Sequence, residues 1–331
     1  MVIKAWELQE ALKSGLKPLY VVKGNDVYFR DVVYDAFCRL INPDDADLAL
    51  CVYEDLADVD SVIEQTVTPP FLSDIKVIIV KSAEKADAFS KAKLAKAFAS
   101  PSDFAVTVIF DGADNIARSD KDKEIMRLAV TVDAVAPDDR FIRNYISEYF
   151  ASRSLGVSPD AAVLLMEYTD REMARIVTET AKLADYTSGT AVSAQDVRDA
   201  VAPSTEFKVY ELTNAIAAGQ NDKVYSHLKT LLERGEKPAA LLATITSQYR
   251  RILHASLFEG SDSELAVYLG LKSSYPVTIA RNAAKKYTQI QLKAIVDKLV
   301  DLEYGFKSGR LGSDLVALNY AVAFLLKKEG N

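Results

Sequence analysis

Only two histidines and two cysteines occur among the 331 residues, and that scarcity removes several kinds of chemistry. Cys38 and Cys51 are too few for the disulfide framework of a secreted protein. Set among apolar residues, they read as small buried hydrophobes. His227 and His254 fall on predicted helices with no cysteine nearby, so the tight ligand clusters of metal sites are missing. No Gly-x-Ser-x-Gly marks a nucleophile elbow. No Gly-Lys-Ser or Gly-Lys-Thr marks a phosphate loop. Gly (13) and Pro (10) are too sparse for a low-complexity chain. No apolar run approaches the roughly 20 residues of a membrane helix. The opening MVIKAWELQEALKSG reads as an amphipathic stretch with charges throughout, unlike a signal peptide, so a cytoplasmic protein without membrane contact is expected. Basic excess is lacking too. Forty Lys and Arg against 47 Asp and Glu give a net charge of −7, so contact with nucleic acid is expected only in company with partners.

What is present is an ordered change of pattern. Residues 19–23 (LYVVK), 48–53 (LALCVY), 76–80 (KVIIV) and 104–110 (FAVTVIF) are short runs rich in β-branched and aromatic side chains, with a fifth at 131–135. Near-continuous apolar runs of this kind suit parallel strands covered on both faces. Helical patterns at 26–40, 59–66, 89–99 and 121–128 lie between them, and the alternation predicts an open parallel α/β sheet.

After Pro137 the strand signals stop. Ser158 and Pro159 read as N-cap and first residue of a helix. Asp170 is expected to cap the next helix, and Ser193 with Asp196 forms a capping-box pattern. Ser261 with Glu264 repeats it among amphipathic helices that run to the end, the last two near 292–304 and 314–326. Three domains follow: an α/β domain over 1–137, a small helical domain over 138–204, and a larger helical domain over 205–331.

The first strand runs into Gly24-Asn25-Asp26, where a nucleotide-binding α/β protein carries its phosphate loop. That loop needs several free backbone N–H groups, a Lys and a Ser or Thr. Here one Gly is followed by bulky residues. Asp111 and Asp114 follow a strand, but the ligand periodicity of a calcium loop is absent, and a turn is expected. No catalytic residue, cofactor site or metal site emerges, which points to binding or assembly.

One segment stands out. In Thr68-Pro69-Pro70-Phe71-Leu72-Ser73-Asp74 the paired prolines stop a helix and hold the chain extended. Phe71 and Leu72 follow as an apolar pair that either tucks under the sheet or stands out as a binding anchor.

Several segments resemble the delta-subunit family of bacterial DNA polymerase III. Pro18-Leu19-Tyr20-Val21-Val22-Lys23-Gly24-Asn25-Asp26 looks like the family's start. The stretch from Pro70-Phe71-Leu72-Ser73-Asp74 through residues 75–80 is similar to its clamp-binding segment. Leu183-Ala184-Asp185-Tyr186 and residues 192–197 (VSAQDV) resemble its second domain. Residues 207–219 (FKVYELTNAIAAG), Gly235-Glu236-Lys237-Pro238 and Gln248-Tyr249-Arg250-Arg251 resemble the start of its third, and Lys307-Ser308-Gly309 a late stretch. The resemblance spans nearly the whole chain, in order.

It implies an AAA+-like α/β domain and helical lid without ATPase activity, then a helical collar for oligomerisation. It implies that Pro70, Phe71 and Leu72 enter a pocket of the ring-shaped sliding clamp (the beta subunit) and help open it. Pro70 stands where some relatives carry a larger aliphatic residue. The implied partners are the clamp, the ATPase motor subunits and delta-prime in a hetero-pentamer, and primed DNA. The chain would then be a non-catalytic subunit of the DNA-directed DNA polymerase holoenzyme. The alternatives are an ATP-binding motor subunit of the same complex, an unrelated α/β enzyme, and a scaffold that does not touch the clamp. Arg250, Arg251, Lys285, Lys286, Lys307 and Arg310 read either as solvated charges or as phosphate contacts.

Overall fold

The computed structural model describes residues 2–83, 86–112, 120–271 and 274–329, without the side chains of 120–123, 328 and 329. Asp114 lies outside them. The chain divides into two compact units, Met1–Pro137 and Asp138–Asn331.

The first unit runs β1 (Val2–Lys4), α1 (Leu8–Lys13), β2 (Leu19–Lys23), α2 (Val27–Cys38), α3 (Ala46–Ala49) and β3 (Leu50–Tyr53). It continues through α4 (Val59–Val67), β4 (Lys76–Val80), α5 (Ala88–Ala97), β5 (Ala105–Asp111), α6 (Asp120–Leu128) and β6 (Val130–Asp133). The six strands form one parallel sheet in the order β1-β6-β2-β5-β4-β3. The central strands β2, β4 and β5 are the continuous apolar runs of the sequence. Every residue of β4 and β5 is buried, as strands covered on both faces must be.

Two expectations fail at the sheet's edges. Val2–Lys4 is a strand beside β6, in the amphipathic opening stretch where no strand was expected. Three residues are too few to show a period of two, and the backbone pairing with Thr131, Val132 and Asp133 decides. Leu48 and Ala49 belong to α3, so β3 starts at Leu50. Strand β3 is an edge strand and only partly covered, which leaves Cys51 half-buried. Cys38, the last residue of α2, is half-buried as well. Neither is the fully buried hydrophobe expected, although burial still pushes both thiols up.

The second unit holds α7 (Asp139–Ser152), β7 (Gly156–Val157), α8 (Pro159–Tyr168), α9 (Met173–Tyr186), β8 (Ala191–Val192), α10 (Ala194–Ala200) and α11 (Thr205–Ala217). Then come α12 (Asn221–Glu233), α13 (Pro238–Leu257), α14 (Asp262–Tyr268), α15 (Tyr275–Ala284), α16 (Gln289–Lys307) and α17 (Asp314–Glu329). Strand structure does not stop at Pro137, because β7 and β8 pair in parallel. Each strand is two residues long and carries no periodic signal.

The caps read from Ser158, Ser193 and Ser261 are made, each accepting from the backbone N–H three residues on. Asp170 is not a cap. It and Arg171 take positive φ (52° and 59°), and their N–H groups return to Glu167 and Met166 of α8. They close α8 in a left-handed turn, and α9 begins two residues later behind Glu172 without a side-chain cap. A buried cluster from Val209 to Leu325 packs α11 to α17 together.

The turn between α13 and α14 is tied to α15 by one side-chain knot. Asp262 accepts from Thr278 Oγ1 and Arg281 Nε, and Arg281 also donates to the carbonyls of Phe258 and Gly260. The Thr278 hydroxyl first, then Arg281, hold the Asp262 carboxyl below its ordinary value of 3.8. A depressed carboxyl contributes stability above its unfolded pKa and loses it as pH falls through the lower folded pKa. The knot therefore weakens below about pH 4. Urea unfolding of wild type and Asp262→Asn should differ clearly at neutral pH and converge towards about pH 2. An undiminished gap in acid would remove this carboxylate from the explanation.

Candidate functional site

The loop from α4 to β4 is held at both ends. Val59, Val62 and Thr66 form the buried face of α4. Gln65 accepts from Lys76 Nζ (3.1 Å) and, at 3.6 Å, from Cys51 Sγ, which links α4 to β4 and β3. Thr68 is extended, as a residue before proline must be, and its N–H and hydroxyl both donate to the Glu64 carbonyl. Beyond the prolines the chain bends, with Ser73 Oγ donating to Ile75 O (2.8 Å). It enters β4 where Lys76 N donates to Phe104 O (2.7 Å).

Between these fixed ends Phe71 is 85% exposed and Leu72 63%, while Pro70 is half-buried. The choice left open by the sequence falls on display. Leaving a Phe or Leu side chain in water forgoes about 1.5–3 kcal/mol of burial, so the pair adds little to the fold. Val67, at the end of α4 and 62% exposed, extends the apolar stretch. It was not singled out in the sequence, although it lies off the Val59–Val62–Thr66 stripe.

The crevice after β2 lies where strand order reverses, between β5 and β6, the usual ligand position of an open α/β sheet. Here the protein's own groups occupy it. Asp26 accepts from Phe29 N (3.1 Å), placing a carboxylate at the N-terminus of α2 where a phosphate would sit. The Asp26 N–H is spent on Ala134 O. Arg30 donates to Gly24 O (3.2 Å) and Lys81 O (3.0 Å), with its guanidinium over the Phe110 ring (5.0 Å). It thus bridges the C-terminal ends of β2, β4 and β5. Gly24 sits at φ +100°, and a Cβ there would lie 2.5 Å from Ala134 O.

Several of the basic residues have polar partners. Arg310 pairs with Asp301 (2.6 Å), Lys307 with Glu303 (3.6 Å), and Lys285 donates to Asn282. Arg251 lines a cavity with carboxylates, whereas Arg250 and Lys286 are exposed. His227 and His254 stand apart on α12 and α13. Among the described residues no group of three His, Cys, Asp or Glu side chains could hold a metal. Among the same residues no helix is long and apolar enough to cross a membrane.

Residues 206–322 match the family model described as the C-terminal domain of the DNA polymerase III delta subunit. The whole chain aligns with the DNA polymerase III subunit delta of Bacillus subtilis (strain 168), 22% identical over 347 residues and 99% of that protein. The fold is that of the Bacillus subtilis DNA clamp loader delta protein, with a TM-score of 0.74 at 21% identity and 98% of each chain covered. These likenesses fall on one class of protein, the subunits of the bacterial clamp loader. Within that class the chain resembles the delta subunit of DNA polymerase III, in agreement with the sequence motifs.

Proposed function

We propose that this chain is the clamp-loader subunit that grips the sliding clamp and holds its ring open for loading onto primed DNA in the cytoplasm. The observation that carries this reading is the display of Phe71 and Leu72 on a loop fixed at both ends. An exposed aromatic on a stiff support loses little conformational freedom when it enters a pocket, which suits an interface anchor. Phe71 is the main anchor, with Leu72 beside it and half-buried Pro70 as support. A ring that closes through its own interfaces opens only if its partner binds the open form more tightly. The loop would do that work by binding, without chemistry.

In this reading residues 138–204 form a lid and 205–331 a collar, which joins ATPase motor subunits and delta-prime in a hetero-pentamer. The chain is then a non-catalytic part of the DNA-directed DNA polymerase holoenzyme. Asp26 at the helix N-terminus and Arg30 across the strand ends support a subunit that does not use ATP. The motor-subunit reading requires both groups to leave. Calorimetry with MgATP should give no binding tighter than about 1 mM, while the purified chain should bind the clamp from its own source saturably. Tight ATP binding would favour the motor, and a clamp that never binds would favour the scaffold.

A further inference from the structure

The loop that displays Phe71 is closed at its base by a side-chain bond. Lys76 Nζ donates to Gln65 Oε1 at 3.1 Å, and the Cys51 thiol donates to the same oxygen at 3.6 Å. Both lone pairs of that oxygen are then in use. Gln65 lies in the last turn of α4, Lys76 opens β4, and Cys51 stands in β3. One amide therefore gathers the helix before the loop, the strand after it and the edge strand paired with that strand.

Lys76 is the unusual member. It is only 4% exposed, and a buried lysine is ordinarily paired with an opposite charge. The acceptor found at its ammonium is a neutral amide oxygen. A neutral acceptor returns less than a carboxylate would for the desolvation of an ammonium, so the bond adds little to the stability of the fold. What it fixes is geometry. The backbone bonds at the loop's ends run from Thr68 back to Glu64 and from Lys76 to Phe104. The Gln65–Lys76 bond instead runs across the base, from the side where the chain leaves α4 to the side where it enters β4.

We infer that Gln65 and Lys76 are positioning residues whose bond sets the conformation in which Phe71 and Leu72 are displayed. The inference rests on the clamp-binding reading of the loop and adds to it the residues that hold the anchor in place. A loop already held in its bound form loses less conformational freedom on binding. Breaking the bond therefore lowers affinity without changing the surface that meets the clamp.

The test makes two measurements on the full-length protein. One is clamp affinity by surface plasmon resonance. The other is the rate at which chymotrypsin cuts the free chain between Phe71 and Leu72, followed by mass spectrometry. Cleavage requires the loop to open, so its rate reports how firmly the loop is held. In Gln65→Leu, affinity should fall and cleavage should speed by about 10-fold each, as loss of a bond to a charged group implies. Lys76→Met should do the same yet melt no earlier than wild type, because it also removes a buried ammonium. Gln65→Glu, which offers Lys76 a carboxylate, should restore both measurements. The inference is overturned if folded Gln65→Leu is cut no faster than wild type, or if Gln65→Glu behaves as Gln65→Leu does. Early melting of Lys76→Met would likewise overturn it, by assigning the bond to the fold. If wild type does not bind the clamp, the clamp-binding reading falls, and the cleavage rates alone decide whether the bond positions the loop.

Discussion

Phe71→Ala should lower affinity for the sliding clamp by about 30-fold or more while leaving the melting temperature of the chain unchanged. The two halves of that result follow from one fact. A side chain that is 85% exposed makes few contacts in the free protein, so truncation removes little from the fold. An aromatic anchor entering a pocket typically carries about 2 kcal/mol or more. Leu72→Ala should cost less, and Phe71→Leu should recover part of the loss by keeping an apolar body. Surface plasmon resonance beside a thermal melt checks both halves. A variant that melts early would mean that Phe71 supports the fold, contrary to its exposure.

Gly24→Ala should destabilise the α/β unit by about 3 kcal/mol, from left-handed strain and overpacking together. Residue 24 takes φ +100°, and its Cβ would stand 2.5 Å from Ala134 O, a backbone atom that Asp26 N–H also uses. The carbonyl can retreat only by disturbing the β6 end, where Ala134 N donates to Lys23 O. Gly15 supplies the control. It also has positive φ (+130°), but nothing lies within 4 Å of its Cβ position. Gly15→Ala should therefore cost only the conformational part, about 1 kcal/mol. Urea unfolding followed by the α/β unit's signal separates the two. Equal losses would mean that the approach to Ala134 is not what requires glycine at 24.

The same loop marks how far the sequence could be read. The bounds of β2 and β4 are those of their apolar runs, because strands covered on both faces need unbroken hydrophobicity. Ser158, Ser193 and Ser261 were legible as caps because a cap is local: a hydroxyl and an N–H three residues away. Asp170 has the same chemistry but sits where α8 must end, and the preceding helix took the turn. Strand β1 was hidden because its partner lies some 130 residues along the chain and only pairing makes three residues a strand.

The candidate site was legible in place but not in disposition. Two prolines fix an extended chain, yet the apolar pair after them favours burial on pattern alone, and only the family resemblance points to display. The bond that carries the chain into β4 at Phe104 and the anchors at Gln65 decide the matter. Arg30 gave no signal at all. A cation in the first turn of a helix reads as surface charge until the fold brings Lys81 O and the Phe110 ring beneath it. The missing phosphate loop was visible in the sequence, whereas the groups that fill its place were not.

The measurement that bears most directly on the central claim is release of labelled sliding clamp from nicked circular DNA by the purified chain without ATP. A subunit that binds the open ring more tightly should speed release severalfold, with Phe71→Ala indistinguishable from buffer. Release that stays at the spontaneous rate when the clamp is saturated with wild-type chain would contradict ring opening. Equal acceleration by Phe71→Ala would contradict the loop as its instrument.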